Sequence, residues 1–381
     1  MPDPQPPAPL RTPLAAVHRD LGATMTDFAG WLMPLRYGSE TAEHRAVRSA
    51  AGLFDLSHMG ELLVAGDGAG SALDYALTGQ PSAIAPGRAR YTMICAPDGG
   101  VIDDLIVYRL AGSEFLIVAN ASNARTVAEE LTERLAGRGA TVSDRTAEYA
   151  LVAIQGPRAE GILAKLTSAD LSQVRYYASR PAKVAGREAL LARTGYTGED
   201  GFEIFVGPQD AVAIWHSLTE AGDSGGLVPA GLAARDSLRL EAGMPLYGNE
   251  LSRDVTPFDA GLGRVVKLDK PGDFVGRAAL AKLAMTEPAR ELVGLIGQTR
   301  RVPRHGYSVL WDGVQCGIVT SGVPSPTLGQ PIAMAYVAAK IAALARAPSG
   351  DSQGRLAVDV RGTAEPASLV TLPFYKRPAG H

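Results

Sequence analysis

Two adjacent acids, Asp103 and Asp104, stand at the start of the apolar run in Gly99-Gly100-Val101-Ile102-Asp103-Asp104-Leu105. Side chains alternate along a strand, so one of the two must face whichever side is more buried. A carboxylate there is pushed toward its neutral form and needs a partner or a task. The plainer reading is a turn in which Gly and Asp simply open the strand.

A second candidate is Arg193-Thr194-Gly195-Tyr196-Thr197-Gly198-Glu199-Asp200-Gly201-Phe202-Glu203. It lacks the Lys-Ser/Thr ending of a phosphate loop and the spacing of a dinucleotide loop, and its acids would repel phosphate. It suits a ligand with cationic or N–H donor edges. Glu203, between Phe202 and Ile204, reads as an isolated acid on a buried strand. One carboxylate can accept from adjacent N–H donors, such as those of a pterin, as it does from a guanidinium. The alternative is an exposed hairpin whose Glu faces water.

Other charged groups are less telling. In Gly231–Glu241, Arg235 and Arg239 share a helix face at i, i+4, with Asp236 in reach of Arg239. They read as a solvated face or as an anchor for a ligand oxygen. Asp55-Leu56-Ser57-His58 is no catalytic triad, because neighbours on an extended chain point opposite ways. His58 is expected to be a hydrogen-bonded core histidine, and Met59 to fill core space. The six histidines show no metal-ligand spacing. Gly66–Gly70 reads as a loop.

The elements that must position these groups follow from periodicity. Val101–Leu110 alternates as a strand, with Ile102, Asp104, Ile106 and Tyr108 on one face and Asp103, Leu105 and Val107 on the other. Glu114–Ala119 makes a hairpin with it. Ala124–Ala136 is an amphipathic helix stopped by Gly137. Glu40–Arg48, Arg158–Leu166 and Asp210–Ala221 read as helices, the last with Val212, Trp215 and Leu218 on its packed side. Leu53–Val64 and Leu151–Ile154 read as strand followed by turn. This mixture is an α+β core. Past a linker at Thr286-Glu287-Pro288, the short runs Leu292–Ile296, Tyr307–Leu310, Gly317–Val319 and Ile332–Val337 read as a small all-β domain. The expected organisation is a disordered Pro-rich start over residues 1–11, a catalytic region over 12–283 and a barrel over 289–381. Ala347–Gly354 reads as a flexible loop. No internal repeat is visible.

Composition narrows the class. With 381 residues the chain is long enough for two or three domains. Its net charge of −3 and lack of a basic run argue against nucleic acid. No apolar stretch reaches the roughly 18–20 residues that span a bilayer. Cys95 and Cys316 are too few and too far apart for a disulfide framework or a cysteine metal site. A reduced compartment is the simpler expectation, and a start without an apolar or Arg-rich leader points to the cytoplasm.

The segments, in this order, resemble the T-protein family of the glycine cleavage system. The likeness is carried by Asp27–Leu35, Gly52–Glu61, Gly99–Leu105, Gln155-Gly156-Pro157 and Arg193–Glu203. It continues through Ala234–Gly243, Leu246-Tyr247-Gly248, Thr320-Ser321-Gly322, Ser325–Gly329 and Pro373-Phe374-Tyr375. It spans about residues 12–377; the Pro-rich start and Ala338–Gly362 match poorly. The resemblance implies a three-domain cloverleaf around a central folate cavity, with two interleaved α+β subdomains and a C-terminal β-barrel. It implies transfer of an aminomethyl carbon from the lipoyl arm of the H protein to tetrahydrofolate, releasing ammonia, with no metal and no flavin. By position, Asp104 is the family's catalytic aspartate, with Ile102 and Tyr108 as its face partners. Glu203 would accept from the pterin N–H edge beside Tyr196, and Arg235 would support the pterin end. Tyr91, Asn120, Val118 and Met59 would line the cavity and Tyr375 would close it. Rival readings are the folate half of a sarcosine- or dimethylglycine-oxidising enzyme, a folate-dependent factor for iron–sulfur enzymes, and a non-catalytic folate-binding module. The first two lose on motif: no flavin-binding glycine unit and no Lys-Gly-Cys-Tyr segment occurs.

Overall fold

The computed structural model describes residues 8–346 and 354–378. The chain forms two compact units that interleave in sequence. The first takes in the described residues up to Glu61, Asp144–Gly195 and Glu199–Arg235. The second takes in Leu62–Ser143, Tyr196–Gly198 and the described residues from Asp236 on.

The first unit is built on a six-stranded sheet ordered Ser179–Val184, Arg187–Ala192, Gly201–Val206, Ala150–Gln155, Ala51–Asp55 and Leu227–Pro229. All pairs are antiparallel except the last. Alternation sends Leu53, Val152, Ile154, Phe202 and Ile204 into one core with Ile162, Leu163, Ile214, Trp215 and Leu218 of the helices Ala159–Leu163 and Ala211–Gly222. Each such side chain contributes about 1.5–3 kcal/mol when fully buried. Val212, expected on the packed side, is exposed. The helix opens at Ala211, and its 3.6-residue period aligns Ala211, Ile214, Trp215 and Leu218 instead.

Leu10–Arg11 is a short strand that pairs in parallel with Trp31–Arg36, although it falls in the stretch expected to be disordered; residues 1–7 lie outside the described residues. Asp55 ends its strand in a closed polar cluster. It accepts from Thr12 Oγ1 at 2.6 Å and from the Ser57 amide at 2.9 Å, and His18 Nε2 lies 2.9 Å away. Burial opposes the ionised form, but these bonds hold Asp55 below its ordinary value.

The second unit carries a five-stranded sheet ordered Arg88–Cys95, Val101–Ala111, Glu114–Ala119, Gly60–Ala65 and Thr141–Asp144. Leu62, Val64, Leu105, Val107, Phe115 and Ile117 pack on its helix side against Leu73, Val127 and Leu131. The helices are Ala69–Ala76 and Ala124–Leu135. Ala69 and Gly70, read as loop, open the first of them, because the glycines before it allow close approach: a Cβ on Gly68 would sit 2.0 Å from the Arg138 carbonyl oxygen.

The C-terminal part closes a six-stranded barrel from Arg290–Gly297, Pro331–Ala338, Val314–Pro324, Ser308–Trp311, Leu356–Val360 and Thr363–Val370. Val293, Leu295, Val309, Val319, Ala333, Ala335 and Val358 fill it, and closure leaves no strand edge open. Within the poorly matching stretch, Ala339–Arg346 is a helix and Leu356–Val360 a barrel strand. The loop expected at Ala347–Gly354 lies almost wholly outside the described residues. The fold is thus mixed α and β with a closed C-terminal barrel.

Candidate active site

The acid pair stands on the central hairpin of the second unit. Its long strand places Asp103 toward the packed side, fully buried, and leaves Asp104 half-buried on the other. Ile102, expected beside Asp104, instead joins Leu105 and Val107 in the core. The pairing with Arg88–Cys95 slips a residue at Ile94/Cys95, opposite this point, which breaks strict alternation.

Asn120, just past Glu114–Ala119, binds both acids. Its Nδ2 donates to Asp103 Oδ1 and Asp104 Oδ1, each at 2.8 Å, and its backbone N–H to Asp103 Oδ2 at 3.0 Å. Asn123 adds Nδ2 to Asp103 Oδ1 at 3.1 Å and to the Ile102 carbonyl at 3.0 Å. Asn123 precedes a helix but caps nothing with its side chain; the amide is spent on the acid. Tyr91 and Val118 both pair with Ile106, two residues on from Asp104, and so flank the same stretch.

Burial pushes Asp103 up to about 7, helped by the charge of Asp104 and opposed by the two asparagines. Burial pushes Asp104 up to about 6, opposed by hydrogen bonds from Tyr91 and Asn120. Asp104 is therefore an anion at neutral pH in a place where its charge is poorly hydrated. Tyr247, beside Asn123 and within the field of both acids, is held above its ordinary value, chiefly by burial. Neither Asn123 nor Tyr247 emerged from the sequence, since nothing in their local patterns differs from a helix cap and a turn.

Tyr196 and Tyr375 also belong to this unit. The Tyr196 hydroxyl donates to the Pro245 carbonyl, and the Tyr375 N–H to the Glu241 carbonyl at 2.8 Å. Arg239, read as half of a solvated face, is 1% exposed. It donates to Asp236 at 2.8 Å, Glu250 at 2.8 Å and Ser321 Oγ at 2.7 Å.

In the first unit, Glu203 lies on Gly201–Val206 opposite Ala153 on one side and Ala192 on the other. It is half-buried and takes a short hydrogen bond from Thr194 Oγ1. The glycines of the preceding loop serve close packing: a Cβ on Gly195 would meet Gln155 Oε1 at 2.0 Å, and one on Gly201 the Ile154 carbonyl oxygen at 2.4 Å. Gln155 Nε2 in turn donates to the Thr194 carbonyl at 3.0 Å. Arg193 is tied to Asp200 and, at 2.6 Å, to Glu160. The loop is thus a braced support for Glu203 rather than an exposed hairpin.

His58 departs from expectation. It is buried, but its Nδ1 has no hydrogen-bond partner among the described residues; its ring meets Phe28 edge-on at 5.5 Å. Burial, with the charge of Arg235, lowers it to about 4, so it is neutral. Met59 follows it, half-buried, its N–H bonded to the Leu56 carbonyl at 3.0 Å. Arg235 stands on the helix Leu232–Glu241.

Comparison with known proteins places these geometries in a family. The GCVT N-terminal domain profile matches residues 14–270, and the glycine cleavage T-protein C-terminal barrel domain profile matches 290–376. The chain is 62% identical over 370 residues to a Streptomyces coelicolor aminomethyltransferase, covering 96% of this chain and 98% of that one. It is 44% identical to a Bacillus subtilis aminomethyltransferase, covering 96% and 99%. The crystal structure of glycine cleavage system aminomethyltransferase T from Bartonella henselae superposes with a TM-score of 0.87 at 36% identity, covering 96% and 98%. No helix among the described residues is long and apolar enough to cross a membrane. With both halves matched and relatives aligned nearly end to end, the chain belongs to the glycine cleavage T-protein family.

Proposed function

We propose that Asp104 is the catalytic group of this chain, which as a member of that family is an aminomethyltransferase of the glycine cleavage system. The reaction moves the methylene carbon from aminomethyl-dihydrolipoyl H protein to tetrahydrofolate, releases ammonia and yields 5,10-methylenetetrahydrofolate. The observation that carries the reading is the state of Asp104: half-buried, oriented by Asn120, and an anion above about pH 6.

As the folate nitrogen attacks and ammonia leaves, the transferred carbon gains iminium character. A fixed, weakly hydrated carboxylate stabilises such a cation far better than a solvated one. It also orients the attacking nitrogen and can accept its proton. Asn120, held by Asp103, keeps the carboxylate in place. Glu203 accepts from the pterin N–H edge, with Tyr196 packing nearby and Arg235 supporting the pterin end. Tyr91, Val118, Met59 and Tyr375 line the folate site.

The partners are then tetrahydrofolate, as co-substrate, and the lipoylated H protein. The chemistry asks for neither metal nor flavin. Two unpaired cysteines, Cys95 and Cys316, support a reducing, cytoplasmic setting. The catalytic region over 12–283 and the barrel over 289–381 stand as the proposed domains. The test is to mix the purified protein with aminomethylated H protein and tetrahydrofolate and to follow ammonia. No release above the uncatalysed rate sinks the reading.

A further inference from the structure

Glu61 has no explanation in the first unit's own hydrogen bonding. It is 1% exposed, and neither carboxyl oxygen has a hydrogen-bond partner among the described residues. Its backbone is fixed: its N–H donates to Thr146 Oγ1 at 3.1 Å, and its carbonyl accepts from the Arg145 N–H at 2.8 Å. The next residue, Leu62, and then Val64 enter an apolar core, so alternation turns Glu61 the other way. The charges acting on it are those of Asp144 and Glu203, both negative. The nearby Arg145 donates from one terminal guanidinium nitrogen to both Glu148 oxygens, at 2.7 Å and 2.9 Å, while its Nε is buried with no hydrogen-bond partner among the described residues. An unpaired buried carboxyl is costly and calls for an explanation, of which a hydrogen-bonding partner from outside the chain is one.

Building on the assignment of Glu203 to the pterin edge, we propose that Glu61 is a second pterin-binding residue, donating a hydrogen bond to a ring acceptor beside the N–H groups that Glu203 takes. Burial and two negative neighbours keep the proton on Glu61 well above the usual carboxylate range. A neutral carboxyl donates, whereas an ionised one only accepts. Glu203 and Glu61 thus present an acceptor and a donor to a heterocycle whose edge alternates N–H groups with nitrogen and carbonyl lone pairs. A ligand with donors alone, such as a guanidinium, would leave the Glu61 proton unpaired and bind less well.

The test is steady-state kinetics of the full chain with tetrahydrofolate varied and H protein saturating, alongside thermal melts without folate. Glu61→Met keeps the volume and removes the unpaired carboxyl. It is expected to raise the melting temperature yet raise KM for tetrahydrofolate roughly tenfold or more, the scale of one lost buried hydrogen bond, with kcat within about threefold. Glu61→Gln, a neutral donor of the same length, is expected to recover most of that KM. A Glu61→Met variant with unchanged KM overturns the proposal, as does Glu61→Gln binding as poorly as Glu61→Met. Glu203→Ala is measured in parallel. If its KM is unchanged, the Glu203 assignment falls and this inference with it; if its KM rises while Glu61→Met is silent, only the role of Glu61 is lost.

Discussion

Asp103 and Asp104, consecutive in the chain, accept from one and the same amide: Asn120 Nδ2 lies 2.8 Å from an oxygen of each. The first acid is buried in the sheet's packed side and the second is half-buried on the other side, so the asparagine spans the edge of the hairpin. The two carboxylates are thus linked through a common donor, Asn120.

Asp104→Asn keeps the shape and removes the charge. Ammonia release should fall roughly 10²-fold or more, the scale of losing one preorganised electrostatic group. Asp103→Asn should cost less, about tenfold, through misplacement of Asn120. Turnover of Asp104→Asn at the wild-type level would remove the catalytic assignment.

The same acids set a pH dependence. The proposed role of Asp104 requires its ionised form, so turnover should rise with pH through an apparent value near 6. The value belongs to the coupled pair rather than to one residue. Asn120→Ala deletes a bond that favours the anion and should move this limb to higher pH. A rate–pH profile of the two proteins checks the direction; a limb displaced toward acid contradicts it.

Stability follows with opposite sign. Both carboxyls hold their protons more tightly folded than unfolded, Asp103 to about 7 and Asp104 to about 6. The folded state then carries the extra protons between the unfolded value of about 4 and these values, so their contribution falls as pH rises across that window. At pH 8, Asp104→Asn should melt no lower than the wild type, even while inactive. Melting curves at pH 5 and pH 8 measure this.

Glu203→Gln replaces an acceptor-only group with one that also presents donors to donors. The tetrahydrofolate KM should rise about 10- to 100-fold, as for loss of a charge-assisted hydrogen bond, with a much smaller change in kcat. Equal losses in kcat and kcat/KM would instead place Glu203 in the transition state.

Arg239 tests the frame rather than the chemistry. Arg239→Met leaves Glu250, which is fully buried, without its cation at 2.8 Å. Breaking one side of a buried pair costs about 3–5 kcal/mol, to be read from urea denaturation. Replacing both, as Arg239→Met with Glu250→Leu, should recover much of that loss.

Elements with clean periodicity could be read directly from the residues: the hairpin Val101–Ala111 with Glu114–Ala119, the helix Glu40–Ser49, and most of the barrel strands. Local alternation and glycine punctuation are properties of neighbours in the chain, so they can be read there. The ordered motifs of the sequence also carried the family. Features that depend on distant partners emerge only in the folded chain. Arg239 is buried because Glu250 and Ser321 come to it across 11 and 82 residues. Ile102 turned into the core because it is the extra residue where the pairing with Arg88–Cys95 slips, which broke its alternation. Asn123 and Glu61 gained meaning only from what packs, or fails to pair, around them. A charge pattern on a helix looks the same whether water or a buried carboxylate faces it, and only the folded chain supplies that difference.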